Sequence, residues 1–453
     1  MHRFRRVLVA LGAVVASVTV SVGGVATAST PSSSGAQSSH LTGDGTWPGL
    51  GTVCEHGPGG TATARGVGAH SINIATFADP GNTAAPGLNK EFFQLAGAFA
   101  KWCNAAGGID GRAIVVHDRD GALFNAAQVT DEACQQDFMS VGGGLVFDQS
   151  AVSVRVRCGL GEIPSYVVSN EADSAALQVN PQGIRVDEIE AGWYSALGRR
   201  YSSAVKHFGI GAANEPSILE PTRKWEQAAE QQGWKVVYFQ EPPFTVTDWS
   251  PYVAEDQSKG IEALETPTGT NVQAFFQAMQ TAGYHPTFIF LGIGIPESVG
   301  KQSYDVSLSG PVPPIYFATQ NWPFELASQS PGLEQLIGLM RTDARGDTID
   351  TNDEYAVDAW LLFAKAASAC GANLTVSCVL DHAASQTNWT GGGVYAPIAR
   401  LAPSNHRPTP SDCFLLMQVK GSAFSYDKAD TRPNDQIWHC DPKSLFPVSS
   451  GNS

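Results

Sequence analysis

The chain has no C-x-x-C pair, no Cys/His cluster, and no two of its ten histidines at metal-ligand spacing, so no metal is expected. It also lacks a G-x-S-x-G elbow, an H-E-x-x-H helix and a P-loop. Gly142-Gly143-Gly144 precedes a strand-like run, not a helix, and so makes no phosphate cradle. Basic charge is scarce: 28 Lys+Arg against 43 Asp+Glu give a formal net charge of −15. No Lys/Arg run follows the N-terminal segment. Nucleic acid and anionic membranes both demand a basic face, so neither is an expected partner. No cofactor is expected. Asp118 and Asp120 could imitate a glycosidase dyad, yet they flank Arg119, where ion pairing accounts for them.

At 453 residues, 43% hydrophobic and 16% charged, the chain is globular in composition and too long for one core. His2 to Arg6 is basic, Val7 to Val22 is apolar, and Ala26-Thr27-Ala28 offers a cleavage site. Residues 1–28 therefore read as a signal peptide cut near Ala28, giving a secreted, extracytoplasmic protein. Gly12, Ser17, Thr19 and Ser21 interrupt the apolar run, which argues against a membrane anchor. No lipobox cysteine stands at the cut. Residues 29–68, rich in Ser, Gly and Thr, read as a flexible linker. Eight cysteines in a secreted chain mean disulfides, though spacing alone leaves their pairing open.

From residue 71 onward, β-branched runs alternate with helical patterns. Strands are expected at 71–77, 113–117, 145–147 and 165–168, with helices at 89–104, 124–138 and 150–158 between them. After a crossover at Pro181-Gln182-Gly183, a second set follows, with strands at 207–210, 235–239, 287–291 and 314–318 and helices at 188–204, 217–232, 270–282 and 297–304. Helix 354–368 follows them. Such alternation means parallel α/β sheets.

The most telling stretch is Phe93 to Asp120. Leu95, Phe99 and Trp102 recur at helical spacing, Asn104 to Gly108 stops the helix, and Ile114-Val115-Val116 starts a strand. This helix, then N-A-A-G-G-I-D-G-R, then a strand, resembles the first βαβ unit of type I solute-binding proteins, the branched-chain amino-acid-binding receptors of ABC importers. Thr247-Asp248-Trp249-Ser250 resembles a second stretch of that family, with Asp248 read as a helix N-cap. The resemblance implies two Rossmann-like α/β lobes joined by a multi-crossover hinge. Lobe 1 would be 69–183 plus 341–410, and lobe 2 would be 184–340 plus 411–446. That fold suggests sequential disulfides: Cys54–Cys103, Cys134–Cys158, Cys370–Cys378 and Cys413–Cys440.

It also implies a site. In open α/β sheets, ligands sit beyond the carboxyl ends of the strands. Those loops supply Asp148, Gln149 and Ser150, Tyr166 and Ser169, Asn214, and Gln320, Asn321 and Trp322 as ligand-binding candidates. Asp148 could also be the N-cap of the next helix, and Glu297 a first-turn acid. Trp249 is read as packing its own helix. Amino-acid receptors of this type hold the α-carboxylate with small hydroxyl residues after the third strand and pair the α-ammonium with an acid after the last strand of lobe 2. Here Phe147-Asp148-Gln149-Ser150 and Gln320-Asn321 stand instead, so a branched-chain amino acid is not the expected ligand. The expectation is a monomeric receptor that closes on a small polar ligand and docks on an ABC permease, without covalent chemistry. A sensor or scavenger without a transporter is the alternative, and a secreted hydrolase the third reading.

Overall fold

The computed structural model describes residues 43–294, 313–344, 346–420 and 423–449. The signal-peptide reading, the first part of the linker, and the reading of helix 297–304 with Glu297 fall outside those residues.

The first sheet has the order β2-β1-β3-β4, all parallel: β1 is Ser71–Ala78, β2 Ala113–Asp120, β3 Met139–Val141 and β4 Gly161–Ile163. Helices α1 (Glu91–Ala105), α2 (Ala126–Gln136) and α3 (Gln149–Cys158) connect these strands. Burying Ile72, Ile74 and Ile114 from adjacent strands against Leu95, Phe99 and Trp102 of α1 forms the core of this lobe. The apolar face of α1 thus supplies the burial that its spacing promises.

After β4 the chain passes through α4 (Asn170–Asp173) and β5 (Glu188–Glu190) into the second lobe. Here α5 (Gly192–Arg200), β6 (Phe208–Gly211), α6 (Pro216–Gln231), β7 (Val236–Gln240), α7 (Ser250–Ser258), β8 (Ala263–Glu265), α8 (Val272–Ala282), β9 (Phe288–Ile293) and β10 (Ile315–Thr319) follow. Strands β11 (Cys413–Lys420) and β12 (Ala423–Tyr426) complete the order β12-β11-β10-β9-β8-β6-β7, in which β11 runs antiparallel to both of its neighbours, β10 and β12. Between β10 and β11 the chain returns to the first lobe as α9 (Pro331–Asp343), α10 (Thr351–Cys370) and α11 (Val376–Ala384). Asp350 starts α10 with a capping box completed by Asp353. Asp358, buried in α10, accepts hydrogen bonds from Trp389 Nε1 (2.6 Å) and Gln182 Nε2 (3.4 Å), tying two of the crossing segments together. No described helix is long and apolar enough to cross a membrane.

The structure corrects several boundaries. The third and fourth strands are β3 and β4; the apolar runs 145–147 and 165–168 follow them as loops. The return to the first lobe begins before 341, because α9 packs on α1 and Gln335 Nε2 donates to the Thr46 carbonyl at 2.8 Å. Residues 43–68 are not a loose linker. Trp47 is buried edge-on against Trp102 (5.8 Å) and donates from Nε1 to the Gly392 carbonyl, while Cys54 bonds Cys103. One tryptophan and one cysteine anchor a stretch whose average composition suggests disorder. The other disulfides are Cys134–Cys158, Cys370–Cys378 and Cys413–Cys440. Asp248 is not the N-cap of α7; Trp249 holds that position, and Asp248 Oδ1 accepts from the Ser250 amide one residue further on (2.9 Å). Trp249 itself is buried against Phe275 (5.0 Å).

Candidate functional site

Between the two sheets lies a cavity of about 450 Å³. The first lobe gives it Val146, the loop Ser165–Val168 after β4, Asp173 of α4, and Asn352 and Tyr355 from the first turns of α10. The second gives Trp193 of α5, the face of α6 that carries Ile218, Lys224 and Trp225, and Ile293 at the end of β9 with Gly294 after it. The crossing segments close the hinge side with Gln182, Ile184, Arg185, Glu190, Gln320 and Tyr395. Branched and aromatic side chains dominate the wall. Gly294 lets the lobes approach: a Cβ there would fall 2.2 Å from Tyr355 Oη, and its φ of +62° favours glycine.

The polar groups are few. Lys224 Nζ lies 3.4 Å from Asp173 Oδ2, a pair buried on both sides that joins α6 to α4 across the cleft. Burial pushes the Asp173 carboxyl up to about 7; Lys224 opposes the shift and Asp148 adds to it. Asn170 Nδ2 donates to Glu220 Oε2 (2.7 Å), a second bond between the same helices. Arg185 is spent on Asp187 (2.9 Å) and Glu188 (2.8 Å). Glu190 accepts from the Gly192 amide (2.8 Å), and burial beside Asp412 holds its carboxyl well above the usual range. The Tyr355 phenol, turned to the cavity, is likewise raised by burial.

Two of the nine ligand candidates, Tyr166 and Gln320, line this cavity. Tyr166 accepts from Asn89 Nδ2 and packs on Phe92. Gln320 donates to the Ser411 and Cys413 carbonyls and accepts from Tyr395 Oη (2.6 Å), so it holds the wall together. Asp148 is buried but turned away. It accepts from the Val168 (2.7 Å) and Ser169 (3.0 Å) amides, fixing the loop that does line the cavity, and makes no N-cap bond to α3. Burial raises its carboxyl to about 6. Gln149 and Ser150 lie on α3 outside the cavity, with Ser150 exposed. Ser169 caps α4 by accepting from Ala172 (3.2 Å). Asn214 is exposed and does not line the cavity. Asn321 is buried against Thr351 and Glu354 in a small separate pocket. Trp322 packs on Trp438 and donates to the Leu326 carbonyl (3.1 Å). Reasoning from strand ends missed Lys224, Glu190, Trp193, Trp225, Tyr355 and Tyr395, because helix faces and crossing segments carry them. Lys224-Trp225 in a helix otherwise rich in Glu and Gln was the one available sequence signal.

The chemistry available here is that of binding. No histidine lines the cavity, and all eight cysteines are in disulfides. The two groupings of metal-ligand type among the described residues are built on bonded cysteines. Asp118 and Asp120 lie on β2, away from the cavity; Arg119 pairs with Asp137 (2.8 Å), not with them. Two α/β lobes thus face each other across a largely apolar cavity.

The chain belongs to the periplasmic binding protein family, whose family model matches residues 80–424. This is a family of binding proteins, not enzymes, and the fold is its type I fold. Solved structures of similar fold include a fatty acid ABC transporter substrate-binding protein from Thermomonospora curvata (TM-score 0.65, 14% identity, 86% of this chain and 97% of that one). A branched-chain amino acid transporter substrate-binding protein from Streptococcus pneumoniae, in complex with isoleucine, gives TM-score 0.61 at 16% identity over 79% and 99%. A solute-binding protein of an ABC transporter from Rhodopseudomonas palustris BisB5, in complex with 3,4-dihydroxybenzoic acid, gives 0.62 at 12% over 84% and 98%. No curated protein matches the chain by sequence.

Proposed function

We propose that this protein is the extracytoplasmic receptor of an ABC importer, working as a monomer, and that its ligand is a small, mainly apolar molecule with one polar end. The observation that carries the reading is the cavity wall. Its volume is in the range of about 300–1,000 Å³ usual for small-molecule sites, and Ile184, Ile189, Ile218, Ile293, Trp193 and Trp225 are among the residues that line it. The small polar ligand expected from sequence does not suit that wall. An amino acid suits it no better. Neither half of a zwitterion clamp is free, since Asp148 is spent on two amides and Gln320 on two carbonyls and a phenol. Relatives of this fold are named for a fatty acid and for 3,4-dihydroxybenzoic acid as well as for isoleucine, so the scaffold accommodates such bodies. A ligand that touches both lobes only when they are closed shifts the population toward closure, and the closed form is what a permease would read.

A thermal-shift panel tests this. Straight-chain alkyl and single-ring compounds should raise the melting temperature in proportion to ln(1 + [L]/Kd). Leucine, isoleucine or valine emerging as the best stabiliser would refute it.

A further inference from the structure

The reading of the cavity as a site for an apolar ligand leaves open what its polar end must be. The inference here rests on that reading. Lys224 narrows the choice. An ammonium carries three N–H donors. Lys224 is 3% exposed, lines the cavity, and has one protein partner, Asp173 Oδ2 at 3.4 Å, which is long for a charge-assisted bond. Two donors of a buried cation are therefore unspent on the cavity wall, beside the apolar faces of Ile218 and Trp225. A buried cation with spare donors is costly unless something completes it. The other cation lining the cavity, Arg185, already has Asp187 and Glu188.

We propose that Lys224 anchors the carboxylate of an apolar carboxylic acid, and that binding the acid brings a proton from bulk water onto Asp173. The balance is simple. The acid arrives as its anion and forms hydrogen bonds to Lys224. Asp173 would then be a second carboxylate on the same ammonium, with Asp148 of the neighbouring turn acting on it as well. Two anions sharing one site disfavour double ionisation, and Asp173 already titrates at about 7. It takes up one proton and remains as a neutral group that positions Lys224. The charged groups around it are Lys224 on α6 and Asp148 before α3; Glu220 on α6 is engaged by Asn170. The ligand class follows: monocarboxylates with an aliphatic or aromatic body, in preference to the matching alcohols and amines.

The test is calorimetry with octanoate, octanol and octylamine on the full secreted chain and on Lys224→Met and Asp173→Asn. Octanoate should bind the native protein more tightly than the other two. Proton uptake, read by comparing phosphate with Tris buffer, should approach one per octanoate at pH 8 to 9. There the affinity should fall about tenfold per pH unit. Lys224→Met should weaken octanoate by about tenfold to a hundredfold and octanol by less, and a cooperative thermal melt shows that this variant folds. Asp173→Asn should remove both the proton uptake and the pH slope. If octylamine or octanol binds better than octanoate, or Lys224→Met binds octanoate as the native protein does, or no proton is taken up, the anchor proposal is wrong while the apolar cavity stands. If none of the three probes binds the native protein, the cavity reading fails and the anchor falls with it.

Discussion

Removing either end of the Asp173–Lys224 pair should not be equivalent, and the difference can be worked from the structure. Both side chains are buried, but they belong to helices on opposite sides of the cleft, α4 and α6. Breaking a buried pair by deleting one partner ordinarily costs about 3–5 kcal/mol, because the survivor is left charged in a poor solvent. Lys224→Met leaves Asp173, a carboxyl already held at about 7. At pH 7 it escapes by taking a proton, at a cost of about 1 kcal/mol or less. Asp173→Asn leaves a buried ammonium without its one carboxylate partner. Its cheapest relief is to reach water, and the cleft gives it a route by opening. The ligand-free Asp173→Asn protein should therefore populate an opened form that Lys224→Met does not, with a gap between the variants of about 2–4 kcal/mol in the closure equilibrium. Asn170–Glu220 and the Phe147–Phe244 contact (5.5 Å) oppose the opening and set its extent. Small-angle scattering, or a dye pair with one dye on each lobe, reads the change. A larger radius for Lys224→Met than for Asp173→Asn would refute the reasoning. So would a fall in melting temperature in both variants with no change in radius, since that would make the pair part of a core and not a latch between lobes.

Acidification should stabilise the fold. Burial raises Asp148 to about 6, Asp173, Asp256 and Asp358 to about 7, and Glu265 to about 8. The folded form thus holds protons that the unfolded form, titrating near 4, releases. This contribution is complete below about pH 4 and is lost as pH rises through 6 to 8. The melting temperature should rise from pH 8 to pH 5.5, and a maximum at pH 8 would contradict it. Gly294→Ala places a methyl against Tyr355 Oη and a side chain at a φ of +62°, so it should weaken ligand binding and lower the melting temperature of the ligand-free protein by the equivalent of about 1–2 kcal/mol; adding Tyr355→Phe should restore part of the affinity. If binding is unchanged in Gly294→Ala, the two lobes do not meet at this point. Replacing both cysteines of Cys54–Cys103, which closes 49 residues, should cost about 1.5 kcal/mol more than replacing those of Cys370–Cys378, which closes 8, on the chain-entropy account. Denaturant midpoints check the order, and the reverse order would mean that native-state contacts outweigh the entropy of the unfolded chain.

The fold was legible where one pattern dominates a long element. In α1 the Leu95, Phe99, Trp102 spacing, and in β2 the Ile114-Val115-Val116 run, each agree with their tertiary role, so local signal and fold point the same way. Strand β8, three residues long and buried, carries too short a pattern to register. The order of the cysteines follows from which elements share a sheet edge, and so became readable only through the fold that the resemblance implied.

The site was less legible, and the two misplaced strands show why. Leu145-Val146-Phe147 and Tyr166-Val167-Val168 look like buried strands because they are apolar and β-branched, which is the signal a buried parallel strand gives. The true strands are the three-residue β3 and β4 just before them, of which β4 contributes a single β-branched residue, Ile163. The apolar runs are apolar for another reason: Val146, Tyr166, Val167 and Val168, all half-buried, face the cavity. A hydrophobic ligand wall and a hydrophobic core solve the same problem with the same residues, and sequence periodicity cannot separate them. Had the ligand been strongly polar, these loops would have been polar and the strands easier to place. The same assumption, that polar residues at strand ends make the site, drew attention to Asp148, which the fold uses to hold that wall in position. Lys224 escaped notice because a lysine in a helix is ordinarily solvent-facing, and only packing α6 against α4 removes it from water.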